Sequence, residues 1–126
     1  MPDKRAFRRF SLENNIFLKF ENDPAKIIDC KLLDISFGGA SIFLKENINL
    51  DTMLQCIAQF DYPVSVERNL IGKCRVVSVK KHRLYAQDGF RIGVEFVEVD
   101  KDILIETITR IEAIVLDQIR KKRQIS

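Results

Sequence analysis

The hydrophobic pattern changes period once, near residue 100, and that switch restricts the fold more than any other feature of the chain. Before it, apolar residues come in short alternating runs. Ile16, Leu18 and Phe20 alternate with Phe17, Lys19 and Glu21, and Asn22-Asp23-Pro24 then marks a turn. A second run passes through Ile27, Ile28, Cys30, Leu32 and Leu33 to Asp34, breaks at Ser36-Phe37-Gly38-Gly39, and a third covers Ala40 to Leu44. The short break predicts that these two strands pair as a hairpin. Met53 to Phe60, Leu70 to Val79 and Phe90 to Val97 read as further strands. Between them lie a polar loop over 46–52, a turn at Asp61-Tyr62-Pro63 and a basic loop or hairpin end over 80–89. Six antiparallel strands with short connections point to a sandwich or a small barrel. From Lys101 the period becomes about 3.6, with Leu104, Ile108, Ile111 and Val115 on one stripe. Asp100 or Asp102 can cap this helix, and the basic residues 120–123 suit the C-terminal end of its dipole, so it is expected to run to about Lys122.

A chain of 126 residues is expected to form one domain. No apolar run is long enough to cross a bilayer and no leader pattern opens the chain, so a cytoplasmic location without membrane insertion is expected. Cys30, Cys56 and Cys74 are widely spaced without a C-x-x-C pair and read as buried free thiols. His82 is the sole histidine, so metal catalysis lacks ligands, and one histidine with scattered carboxylates assembles no nucleophile–base pair. Neither an enzyme nor a cofactor is expected. The net charge is +3, but both ends are basic and the body between them is mildly acidic.

Two stretches near the N-terminus carry the candidate chemistry. Arg5-x-x-x-Arg9, with Arg8 between, sits on a segment without clear periodicity that reads as a flexible basic arm. Guanidinium forks suit phosphates and the O6/N7 edge of guanine. Phe7 and Phe10, interleaved with the arginines, can pin the arm to the folded body. Asp34-x-Ser36-x-x-Gly39 places two short polar side chains on one face at a strand end, just before backbone bare enough for a ligand to approach. A carboxylate suits the N1–H and N2–H donors on the other edge of guanine. Each stretch also has an ordinary reading. The first is a solvated basic terminus, and the second an Asx or Ser turn with Gly38 and Gly39 supplying positive φ.

In combination and order, on a β-rich body closed by a helix, the two stretches resemble the PilZ domain. The resemblance covers about residues 3–120. Arg5 and Arg9 match its R-x-x-x-R arm, Asp34, Ser36 and Gly39 match its [D/N]-x-S-x-x-G strand end, and Phe90 to Phe96 is similar to its last strand. It implies a mainly β fold, a six-stranded antiparallel β-barrel with a C-terminal α-helix. The chain then divides into an arm over 1–12, a barrel over 13–99 and a helix over 100–123. The function implied is that of a receptor for cyclic di-GMP, converting second-messenger binding into an altered surface for a downstream protein partner. Arg5 and Arg9 would grip guanine and phosphate, Asp34 and Ser36 would hold the ligand from the barrel side, and Gly38 and Gly39 would leave it room. Arg8 stands where many members carry proline, and Lys4 lies where the family varies in ways linked to ligand stoichiometry.

Two other functions are consistent with parts of the pattern. A nucleotide-independent PilZ-like adaptor would act through its helix or surface, although adaptor members commonly lack the residues present here. A nucleic-acid-binding barrel of the OB type would use the basic ends, but it lacks an evident aromatic platform, and no nucleic-acid partner is expected. Residues 113–116 are apolar most of the way round the helix. This suits either a deep groove between strands or a second face that meets a partner or another copy of the chain.

Overall fold

A computed structural model describes residues 10–20, 23–60 and 65–125 of the chain. Its elements are β1 (Phe10–Phe20), β2 (Asp23–Ile35), β3 (Gly39–Leu44), β4 (Met53–Ala58), β5 (Leu70–Leu84), β6 (Gln87–Val99) and α1 (Lys101–Ile125). All neighbouring strands run antiparallel and close into a barrel in the order β1-β2-β3-β6-β5-β4. The closing seam is β1 with β4, where Ile16 pairs with Ala58 and Leu18 with Cys56.

Alternation sends one set of side chains inward. Ile16, Leu18, Leu32, Ile42, Leu54, Val76 and Ile92 are all at most 3% or so exposed and form one cluster, so every strand contributes to a single interior. The helix adds Ile103, Leu104, Ile108 and Ile111 to the same cluster. Asp100 caps it as expected, its Oδ1 accepting from the amides of Asp102 at 3.0 Å and Ile103 at 3.2 Å. Thr107 is the one polar residue in the buried stripe, and its hydroxyl donates to the Ile103 carbonyl at 2.7 Å. No helix among the described residues is long and apolar enough to cross a membrane.

Of the two readings of residues 80–89, loop or hairpin end, the structure has the hairpin end: β5 continues to Leu84, β6 resumes at Gln87, and Leu84 pairs with Gln87 across a two-residue turn. The turn residues Tyr85 and Ala86 have φ of 48° and 65°. Two left-handed residues in succession match the right-handed twist of the flanking strands. The turn therefore forms without the Asn-Gly or Gly-Gly pair that announces such a hairpin. Lys80 to Arg83 accordingly lie on a paired strand. β1 begins at Phe10, inside the segment read as arm.

Candidate functional site

The site is built around the connection between β2 and β3. Ser36 N–H donates to the Gly39 carbonyl at 2.8 Å, which closes the turn. The Ser36 hydroxyl lies inside it, accepting from the amides of Gly38 and Gly39 at 3.3 Å each and donating to the Gly39 carbonyl at 3.3 Å. Across the barrel wall, Phe96 N–H donates to the Gly38 carbonyl at 2.9 Å. Ser36 is thus a brace for the backbone, buried with its polar atoms satisfied by the turn.

The glycines act differently from expectation. Neither Gly38 nor Gly39 has a positive φ. At Gly39 the requirement is space: a Cβ there would lie 2.1 Å from the Val94 carbonyl oxygen and 3.1 Å from Glu95 Cα. β3 can seat against β6 only because no side chain stands between them. The room that Gly39 keeps is filled by the neighbouring strand.

Asp34 is the next-to-last residue of β2 and lies on the outer face of the barrel. Its register partner is Ser41, which pairs in turn with Gly93, and Gly93 with Ser78. Ala40 and Ile42 point into the core, as do Ile92 and Val94, so Ser41 and Gly93 face outward. A Cβ on Gly93 would come within 2.3 Å of the Ser78 hydroxyl. The outer wall beside Asp34 is therefore a strip of small residues crossing three strands, β3, β6 and β5. Arg91 stands two residues from Gly93 on the same face and reaches diagonally over β3, its Nη2 donating to Asp34 Oδ2 at 2.6 Å. The Asp34 side chain is 8% exposed and that of Arg91 37%, so the carboxylate is covered and the guanidinium remains partly open. A charge-assisted bond of this length fixes the carboxylate's orientation.

Arg91 and Ser41 are site residues that the sequence reading missed. Alternation within Phe90 to Phe96 was enough to place Arg91 outward. Nothing local indicated that β3–β6 pairing would bring it to an aspartate 57 residues away.

Arg5, Arg8 and Arg9 lie outside the described residues. The chain bearing them joins β1 at Phe10, which pairs with Ile35, and Ser11 pairs with Asp34. Ser11, two residues after Arg9 in the sequence, thus pairs with the aspartate.

The remaining candidate chemistry is structural. Cys30, Cys56 and Cys74 are buried and free, as expected. Burial, reinforced by Asp29, pushes the Cys30 thiol up to about 12, and the hydrogen bond with Cys56, together with burial, raises Cys74 well above the ordinary range. No cluster of His, Cys, Asp and Glu among the described residues could hold a metal. His82 meets the edge of Phe43, their ring centroids 6.1 Å apart.

The sequence matches the family model for the PilZ domain over residues 3–113. Comparison with curated proteins finds no match. Among solved structures, the chain is similar to the PilZ domain with c-di-GMP of YcgR from Escherichia coli. That pair has 14% identity and a TM-score of 0.70, covering 97% of this chain and 98% of the other. The Bacillus subtilis inhibitor of motility MotI/DgrA has 14% identity and a TM-score of 0.67, covering 95% of this chain and 54% of that one. The K. pneumonia MrkH–c-di-GMP complex has 18% identity and a TM-score of 0.60, covering all of this chain and 57% of that one. The chain therefore spans about half the length of the MotI and MrkH chains. The family model covers most of the sequence, and the closed barrel with its C-terminal helix is the fold of these neighbours: the chain belongs to the PilZ domain family.

Proposed function

We propose that this PilZ domain is a receptor for cyclic di-GMP, bound on the outer strip between Asp34 and Gly93. The observation that carries the reading is the pairing of Ser11 with Asp34, which joins the Arg5-x-x-x-Arg9 segment to the barrel beside its buried carboxylate. The E. coli YcgR domain and K. pneumonia MrkH, both similar in fold, were solved with c-di-GMP.

In this reading Arg5 and Arg9 supply guanidinium forks to phosphate and to the O6/N7 edge of guanine, with Arg8 a further cation beside them. Asp34 faces the N1–H and N2–H edge, held in place by Arg91. Ser36 and Gly38 act through the turn they form, and Gly39 acts by letting that turn sit flush on β6. Ser41 and Gly93, both buried, add little side-chain bulk beside Asp34, which suits a flat base. Micromolar affinity corresponds to about 8 kcal/mol, and two or three charge-assisted bonds of about 1.5–3 kcal/mol each supply much of it. The arm's change on binding would alter a surface read by a downstream protein, an order–disorder switch with no chemical step.

Calorimetry with cyclic di-GMP tests the assignment. Arg9→Ala is expected to abolish measurable binding at tens of micromolar while the circular dichroism spectrum stays β-rich. Unchanged affinity in that variant would overturn the site. Absence of heat with the unmodified chain would favour the nucleotide-independent adaptor.

A further inference from the structure

The helix is longer than its seat. Its buried residues end at Ile111, Ile114 and Val115 are half-buried, and residues 116–122 are exposed. Yet its outer side is not uniformly polar. Ile105, Leu116 and Ile119 are 51%, 45% and 40% exposed. At 3.6 residues per turn these three project within about 60° of one another, and they span about 21 Å along the axis. Their stripe is rotated by roughly a third of a turn from the side that packs on the barrel. Beside Ile105 the stripe opens into a groove of about 450 Å³ walled by Phe37, Val97 and Leu104. Phe37 and Val97 are themselves more than 40% exposed.

Charge along the same helix is segregated. Its beginning is net acidic, with Asp100, Asp102 and Glu106 against Lys101, and its end is net basic, with Arg120, Lys121 and Lys122 against Asp117, which pairs with Lys121 at 3.2 Å. Each end suits its own dipole. Between two helices the segregation also selects a direction. Parallel partners would superpose like charges, whereas antiparallel partners would set each acidic start against a basic end.

We propose that the exposed side of α1 is a self-association surface on which two copies of this chain pair antiparallel, Ile105 of each lying against the 116–119 turn of the other. The same offset brings Asp102 level with residues 119–122 of the partner copy, so one register satisfies both the apolar and the charged matching. A two-fold axis near the middle of the helix makes the interface self-complementary. Leu116 or Ile119 of each copy then fills the Phe37–Val97 groove of the other. Because three apolar residues per copy form a small interface, the equilibrium should be concentration-dependent in the micromolar range.

Sedimentation equilibrium of the whole chain without nucleotide, from about 1 to 200 µM, should show a monomer–dimer equilibrium. Leu116→Glu with Ile119→Glu should be monomeric throughout, and both positions are exposed, so the barrel should keep its thermal transition. Arg120→Glu, Lys121→Glu and Lys122→Glu together should weaken association at least tenfold. Direction is read by cross-linking. Chains carrying Ile105→Cys mixed with chains carrying Ile119→Cys should form a mixed disulfide under diamide, while Ile105→Cys alone should not. The three native thiols are buried and stay out of this reaction. A monomer across the concentration range, a dimer unaffected by the double glutamate variant, or efficient cross-linking of Ile105→Cys with itself would each overturn the proposal.

Discussion

Two of the barrel's reversals, β2–β3 and β5–β6, have opposite chemistry, and the contrast between them separates what glycine does from where glycine is expected. The β2–β3 turn holds two glycines, yet both keep ordinary φ, and the turn is braced by a buried serine hydroxyl. The β5–β6 turn holds Tyr85 and Ala86, both in the left-handed region that glycine favours, with no glycine between the strands they join. In the first, side-chain absence serves close approach of two strands. In the second, backbone strain of roughly 1–2 kcal/mol per residue is offset by the long β5–β6 ladder. The reversal that tolerates strain is exposed, with Lys31 Nζ over its Tyr85 ring at 5.2 Å. A reversal without strain, fully hydrogen-bonded, sits beside the carboxylate it positions. Geometry is held tightly only where a ligand would read it.

The strongest way to break this contrast is Gly39→Ala. With a backbone carbonyl 2.1 Å from the new methyl, β3 must move off β6, and a loss of about 3 kcal/mol is expected from the urea midpoint. Ser36→Ala leaves the amides of Gly38 and Gly39 without their acceptor, at about 1–2 kcal/mol, and its nucleotide affinity should fall by more than its stability does. Arg91→Gln removes the ion pair that orients Asp34. Because Arg91 is partly exposed, the stability change should be no more than about 1 kcal/mol, so a larger affinity loss in calorimetry would mark it as a positioning residue. The smallest effect has the opposite sign. Ala86→Gly relieves a φ of 65° and should raise stability by about 0.5–1 kcal/mol, seen as a melting temperature a few degrees higher with nucleotide affinity unchanged. Destabilisation by Ala86→Gly, or tolerance of Gly39→Ala, would remove the distinction between the two turns.

The same contrast explains what could be read before the fold was known. The strands and the helix announce themselves through periodicity, because inward residues such as Leu18, Ile42 and Ile92 recur every second position and Leu104, Ile108 and Ile111 every third or fourth. The Asp34–Gly39 motif was legible as a unit because its bonds are local, Ser36 to Gly38 and Gly39. The extension of β5 and β6 was hidden because Tyr85-Ala86 carries no turn residue, and the basic run before it resembles a solvated loop. Arg91 was hidden for a different reason: its partner is set by strand register across β3, a property of the assembled sheet. The steric demand at Gly39 was hidden, since its neighbour Val94 is 55 positions away along the chain and contact between them is invisible locally.

Closure of the sheet between β1 and β4 has a further consequence for communication. Within the ring each strand edge is taken up by a neighbour. Among the described residues, β5 beyond Val76 pairs with β6 alone and β2 before Lys31 with β1 alone, so an added strand could borrow backbone hydrogen bonds only on those outlying hairpins. A partner that met the ring itself would have to read side chains, on the strip outside Asp34 or along the helix. Strand addition is largely sequence-blind, whereas side-chain recognition can be retuned one residue at a time. The same barrel can therefore be redirected to new partners by substitutions on its surface while the ring that holds the site stays untouched.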